Sequence, residues 1–207
     1  MYYTTEVSPL WQFPIWEKQT PFDLDFNKQI EDEVYSIAKE MMSMTDPKDS
    51  LWDYDRPALT TLKQYILNYV NEVIPNSIQE VKDLNIKFKC DMAWVNVREP
   101  GLGIELHGHP DASFAATYYV RTAANCGNLV TYDQTGNPIQ LVPAAGKIVI
   151  LPAYMLHEIQ DNMSNDLRIS ISTDITQVID RTAQNALVLR SWCQDMLKVK
   201  EWNNSQN

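Results

Sequence analysis

The sequence predicts a mainly β jelly roll with flanking helices, and three observations lead there. Six short segments in the second half, IKFKCDMAWVNVREP, SFAATYYVR, GNLVTYD, PIQLVPA, KIVILPA and LRISISTDI, read as strands separated by Gly, Asn, Asp and Pro. Upstream, apolar residues recur at helical spacing. The chain of 207 residues is 44% hydrophobic, which suits one domain with a sizeable core.

Taken in order, residues 8 to 16 read as extended, with Pro9 and Pro14 confining them to a sheet edge. Ile30, Val34, Ile37 and Met41 share one face of a helix over about residues 27 to 44, while Glu31, Asp32, Glu33 and Lys39 lie mainly on the other. MTDPKDSLWDYDRP is a loop by its turn residues, with Trp52 and Tyr54 tucked back onto the core. A second helix carries Leu59, Leu62, Ile66, Tyr69 and Val73, with Asp55 as N-cap and Pro57 in the first turn, and Pro75 ends it. These parts make a helical support over about residues 1 to 85. The strands fill a jelly-roll core over about 86 to 178. Residues 179 to 203, through Ala186, Leu187, Leu189, Arg190 and Met196, read as a packing helix.

Composition narrows the function classes. A formal charge of -10 argues against a general nucleic-acid binder, whose affinity comes from clustered Lys and Arg on phosphates. Cys90, Cys126 and Cys193 are too few and too scattered for a disulfide framework or a zinc knuckle, and read as reduced thiols. The amino-terminal MYYTTEVSPLWQFPIW shows no basic segment followed by an apolar run, and no stretch approaches the roughly 20 apolar residues a membrane span needs. The expectation is a soluble, cytoplasmic protein. A homodimer is compatible with the sequence, which is otherwise silent on assembly.

The three histidines of the chain are distributed tellingly: His107 and His109 lie in LHGHPDASFAATYYV, and His157 follows the strand-like KIVILPA. On an extended strand His107, His109 and Asp111 would point to one face, so spacing alone leaves open which of them act together. Two histidines and a carboxylate form the facial triad of non-haem Fe(II) oxygenases, and His-x-Asp with a later His is its sequence form. Arg168 and Ser170, on one face of LRISIST, are suited to hold a carboxylate.

The ordered motifs WVNVREPG, HGHPDASFAATYYV, GKIVILPAYMLHEI and RISIS resemble those of the 2-oxoglutarate and Fe(II)-dependent oxygenases of bacteria and phages, a branch of the double-stranded β-helix dioxygenases that includes prolyl hydroxylases. The resemblance covers about residues 92 to 175. It implies a double-stranded β-helix, Fe(II), and 2-oxoglutarate decarboxylated to succinate as O2 is activated, with ascorbate as a supporting reductant, in a bacterial or phage-infected cell. Carried over, it assigns the metal to His109, Asp111 and His157, with His107 as the alternative third ligand, and the distal carboxylate of 2-oxoglutarate to Arg168 and Ser170. Tyr119 stands where related prolyl hydroxylases direct a Tyr hydroxyl to that carboxylate. A core position suits Tyr119 equally, and Tyr118, on the opposite face, reads as core. Asn96 is a pocket-wall candidate or a surface amide.

The rival is a cupin, a metal-dependent enzyme or small-ligand sensor on a similar barrel. HGH, Gly146, Pro152 and His157 fit its motifs, while the missing Glu after HGH and Tyr154 in place of Gly oppose it. A barrel without catalysis leaves the polar set without a task. Substrate expectations are a prolyl residue of a protein, or a small molecule. Gly101 and Gly103 would let the REPGLGIE loop flex over the site, and Trp11, Trp16, Trp52 and Tyr54 would line a peptide groove or pack as core.

Overall fold

The computed structural model describes residues 14–45, 48–77, 86–133 and 135–178. The expected carboxy-terminal helix, Cys193, Trp11 and most of the expected extended segment at 8 to 16 lie outside them.

Twelve elements follow in order: β1 (Trp16–Gln19), α1 (Leu24–Met41), a 3-10 turn (Leu51–Asp53), α2 (Pro57–Ser77), β2 (Phe88–Arg98), β3 (Ile104–His107), β4 (Phe114–Arg121), β5 (Leu129–Tyr132), β6 (Pro138–Leu141), β7 (Lys147–Pro152), β8 (His157–Ile159) and β9 (Arg168–Gln177). They form a five-stranded sheet in the order β1-β7-β4-β9-β2 and a four-stranded sheet in the order β3-β8-β5-β6, with every pairing antiparallel. The short β1 sits at an edge and shares only Trp16 with the extended segment expected at 8 to 16.

The helices differ from expectation at their ends. α1 starts at Leu24, where the Asp23 carboxylate accepts from the Phe26 N–H as N-cap. α2 runs through Pro75 to Ser77. Proline withdraws only its own N–H, so a helix within its last turn loses one bond and continues briefly.

Two cores separate three layers. α1 and α2 press Ile30, Leu59, Leu62, Ile66 and Val70 onto the outer face of the large sheet, where Tyr118, Ile148, Ile150 and Ile171 meet them. Between the sheets, Tyr119, Leu129, Leu141, Val149, Leu151, Met155 and Ile159 form the second core. β4 is therefore buried on both faces, Tyr118 toward the helices and Tyr119 toward the other sheet. Trp52 donates from Nε1 to Thr173 Oγ1 (2.9 Å), fastening the 3-10 turn to β9. Of the two readings the sequence allowed for Trp16, Trp52 and Tyr54, the structure places all three in the core and not along a peptide groove. Among the described residues no helix is long and apolar enough to cross a membrane.

Candidate metal centre

β3 and β8, at four and three residues too short to show alternation in the sequence, carry His107 and His157. The strands pair with these two residues directly opposite each other, and the rings come to 4.4 Å between centroids. This pairing needs close approach of the chains. A Cβ at Gly103 would meet the Ile159 carbonyl oxygen and Asp161, so Gly103 serves contact with β8 and not flexing of a lid.

His109 follows the end of β3, where its N–H donates to the Ala153 carbonyl in the connection from β7 to β8 (2.8 Å). Its ring stacks between Trp94 (5.6 Å) and His157 (5.2 Å). One ring nitrogen from each of His107, His109 and His157 lies within 4.8 Å of the others.

Asp111 is not in this group, which corrects its expected place as the third ligand. The reason is a turn: the Ala112 N–H donates to the His109 carbonyl (3.2 Å), with Pro110 at the second position. Period-two alternation stops at His107, and Asp111 is exposed on the turn.

In two of the rings the other nitrogen fixes the tautomer. His107 Nδ1 lies 2.7 Å from the Glu105 carbonyl oxygen, and His157 Nδ1 lies 2.9 Å from that of Met155. His109 Nδ1 lies 2.9 Å from Asp174 Oδ1. A carbonyl oxygen only accepts, so on His107 and His157 the proton sits on Nδ1 and Nε2 is left free toward the cluster, while Asp174 Oδ1 lies close to His109 Nδ1 without a hydrogen bond of good geometry. Burial pushes the His157 imidazole down to about 4, with His107 and His109 acting in the same direction against the Met155 carbonyl. The three ring nitrogens converge on one point, a place suited to a cation. The donor set fits a divalent transition metal.

A cavity of about 240 Å³ runs between the sheets from the histidines. Trp94, Asn96 and Arg98 on β2 lie beside Ser172, Ser170 and Arg168 on β9, in register. Asn96 Nδ2 donates to Ser172 Oγ (3.0 Å), which is 3.2 Å from Thr117 Oγ1. At the far end Arg168 is 1% exposed, yet has no carboxylate partner among the described residues, and its Nε is unbonded. Its guanidinium lies over the Tyr119 ring (5.2 Å), and the buried Tyr119 hydroxyl is likewise unbonded. Burial pushes that phenol up to about 12 against the opposing Arg168 charge. A buried guanidinium left unpaired is costly, and an anionic ligand removes the cost.

The fold is a double-stranded β-helix. A prolyl-4-hydroxylase from Pseudomonas putida superposes with a TM-score of 0.56 at 15% identity, covering 78% of this chain and 86% of that one. SnoN, a non-heme alpha ketoglutarate dependent epimerase from nogalamycin biosynthesis, gives 0.60 at 12%, covering 78% and 77%. AviO1 from Streptomyces viridochromogenes gives 0.56 at 11%, covering 78% and 89%. No protein-family model and no curated protein matches the sequence. In this double-stranded β-helix the sequence-predicted Arg168, Ser170 and Asn96 line the cavity with His107, His109 and His157, and Tyr119 packs against Arg168.

Sequence reasoning missed Asp174. Its signal was the alternation Arg168, Ser170, Ser172, Asp174 along β9, a polar face on a strand otherwise rich in Ile. A larger, more open hollow of about 830 Å³ lies among the loops after β4, β6 and β8, but among the described residues no histidine and no arginine line it.

Proposed function

We propose that this chain is an Fe(II)- and 2-oxoglutarate-dependent dioxygenase that hydroxylates a C–H bond, with His107, His109 and His157 as metal ligands. The observation that carries the reading is the buried Arg168, with no carboxylate partner among the described residues, at one end of a cavity whose other end holds three converging imidazoles. A ligand suited to both ends has a metal-chelating head and a distal carboxylate, as 2-oxoglutarate has. When bound, iron and the keto acid supply the oxidising chemistry, in which 2-oxoglutarate, O2 and R–H give succinate, CO2 and R–OH. Ascorbate would keep the iron ferrous.

The chain's own residues bind, orient and exclude water. Three neutral donors leave the metal its full charge, which favours a dianionic keto acid. Asp174, whose Oδ1 lies 2.9 Å from His109 Nδ1, is the carboxylate placed to orient that ring. Arg168, Ser170 and the Tyr119 hydroxyl bind the distal carboxylate, while the Asn96–Ser172–Thr117 chain forms a polar wall beside it. A cupin-type enzyme has no use for a buried unpaired Arg168.

The substrate is proposed to be a residue of a polypeptide, with proline first by resemblance. At about 240 Å³ the cavity is below the usual range for a whole ligand, and the keto acid takes part of it. A substrate that inserts only its reacting group is favoured over a free metabolite that must be enclosed.

The test is to add Fe(II) and 2-oxoglutarate without oxygen, follow the metal-to-ligand absorption band, then admit oxygen and measure succinate. A band followed by slow succinate release is expected even without substrate. Iron-loaded protein giving neither would overturn the reading. Proline-containing peptides should raise the succinate rate and gain one oxygen by mass.

A further inference from the structure

β2 brings a second arginine to the cavity that the expected ligand set does not use. Arg98 lies directly across from Arg168 in the β2–β9 register, and both line the same cavity. Like charges directly opposite on neighbouring strands destabilise a sheet. Here nothing relieves them, because no carboxylate lies within ion-pair distance of either guanidinium among the described residues. The polar contact made by the Arg98 side chain is from one terminal nitrogen to the carbonyl of its own neighbour Val97 (3.1 Å), and its Nε is buried without a partner. Two facing arginines with unspent donors, in a molecule of net charge -10, mark a built anion site.

Position along the strands decides which anion. Trp94, two residues before Asn96 and four before Arg98, stacks on His109 at the metal end. Arg98 is therefore at the opposite end, with Arg168, away from where a substrate C–H must sit. The geometry points to a two-arginine clamp, in which Arg98 supplies a second guanidinium to the distal carboxylate of the keto acid. This rests on the proposed use of 2-oxoglutarate. The consequence is selectivity: the site discriminates for dicarboxylic 2-keto acids, since a monocarboxylic one leaves the buried Arg168 and the half-buried Arg98 unpaired.

The clamp is tested by calorimetric titration of the Mn(II)-loaded protein, without oxygen, with 2-oxoglutarate and with 2-oxopentanoate, which has the same chain length but no distal carboxylate. Arg98→Gln should weaken 2-oxoglutarate binding about 10- to 100-fold, the worth of a charge-assisted contact. It should leave 2-oxopentanoate and Mn(II) affinity unchanged. Arg98→Lys, which keeps the charge, should recover part of the loss and guards against a folding defect in the glutamine variant. If Arg98→Gln binds 2-oxoglutarate like the unsubstituted protein while Arg168→Gln does not, the clamp is overturned and the dioxygenase reading stands. An equal loss for both keto acids also overturns it. If the unsubstituted protein does not prefer 2-oxoglutarate to 2-oxopentanoate, the functional reading itself fails.

Discussion

Pro110 decides which neighbour of His109 reaches the cavity. By closing a turn between His109 and Ala112 it sends Asp111 to solvent, while His107, still on β3, faces His157. His107→Ala should therefore lose bound iron after dialysis, and Asp111→Ala should retain it. The opposite result would restore the two-histidine, one-carboxylate set. That the three histidines come together was legible in the sequence, which places none elsewhere; the turn's effect on facing was not. Arg168 was legible for a different reason, its spacing from Ser170 on a clear strand, but its missing partner is a three-dimensional fact. That absence has a measurable effect. Arg168→Met should leave the metal-free protein as stable as before or more so, since a buried unpaired charge is removed. Thermal denaturation should then show no upward shift on adding 2-oxoglutarate, where the unsubstituted protein at 100 times Kd gains about 2.7 kcal/mol. A large fall in the melting temperature of the metal-free variant would mean that Arg168 holds the fold and not a ligand.

Among the elements, the long period-two strands and both helices were legible, and the two strands that hold the site were not. β3 and β8 have too few residues to display alternation, and both owe their existence to pairing with each other and, for β8, with β5. Gly103 records that pairing, although in sequence it resembled a hinge. Gly103→Ala should push β3 from β8, because the added methyl meets backbone at Ile159 as well as Asp161. The expected outcome is a loss of about 1 to 3 kcal/mol in urea denaturation, typical of overpacking, with weakened metal binding as His107 moves from His157. Gly101→Ala is the control for metal binding, since nothing lies within 4 Å of a Cβ there. Its positive φ of 83° predicts a stability cost without loss of metal. Equal metal loss in both variants would show that the loop, not the strand contact, sets the site.

On the scale of the whole molecule, the layering puts the histidines where water is scarce, and this links the site to stability. Composition indicated a sizeable core, and the chain divides its apolar residues between a helix–sheet layer and a sheet–sheet layer, with the site opening within the second. His157 is 6% exposed there, and burial holds its imidazole at about 4 against an ordinary value of 6.5. In the unfolded chain it takes a proton near pH 6.5, and in the folded metal-free protein only near pH 4. Between those values the unfolded state binds more protons, so stability rises with pH across this window and falls on acidification through it. The loss amounts to at most about 3 kcal/mol. Urea denaturation of the metal-free protein at pH 7, 5.5 and 4.5 should show that decline, and His157→Gln, which does not titrate, should show a shallower one. Identical slopes would overturn His157 as the source of the acid sensitivity; Asp133, held down at about 2 by its bonds to Thr135 and Asn137, loses its contribution only below this window and does not confuse the reading.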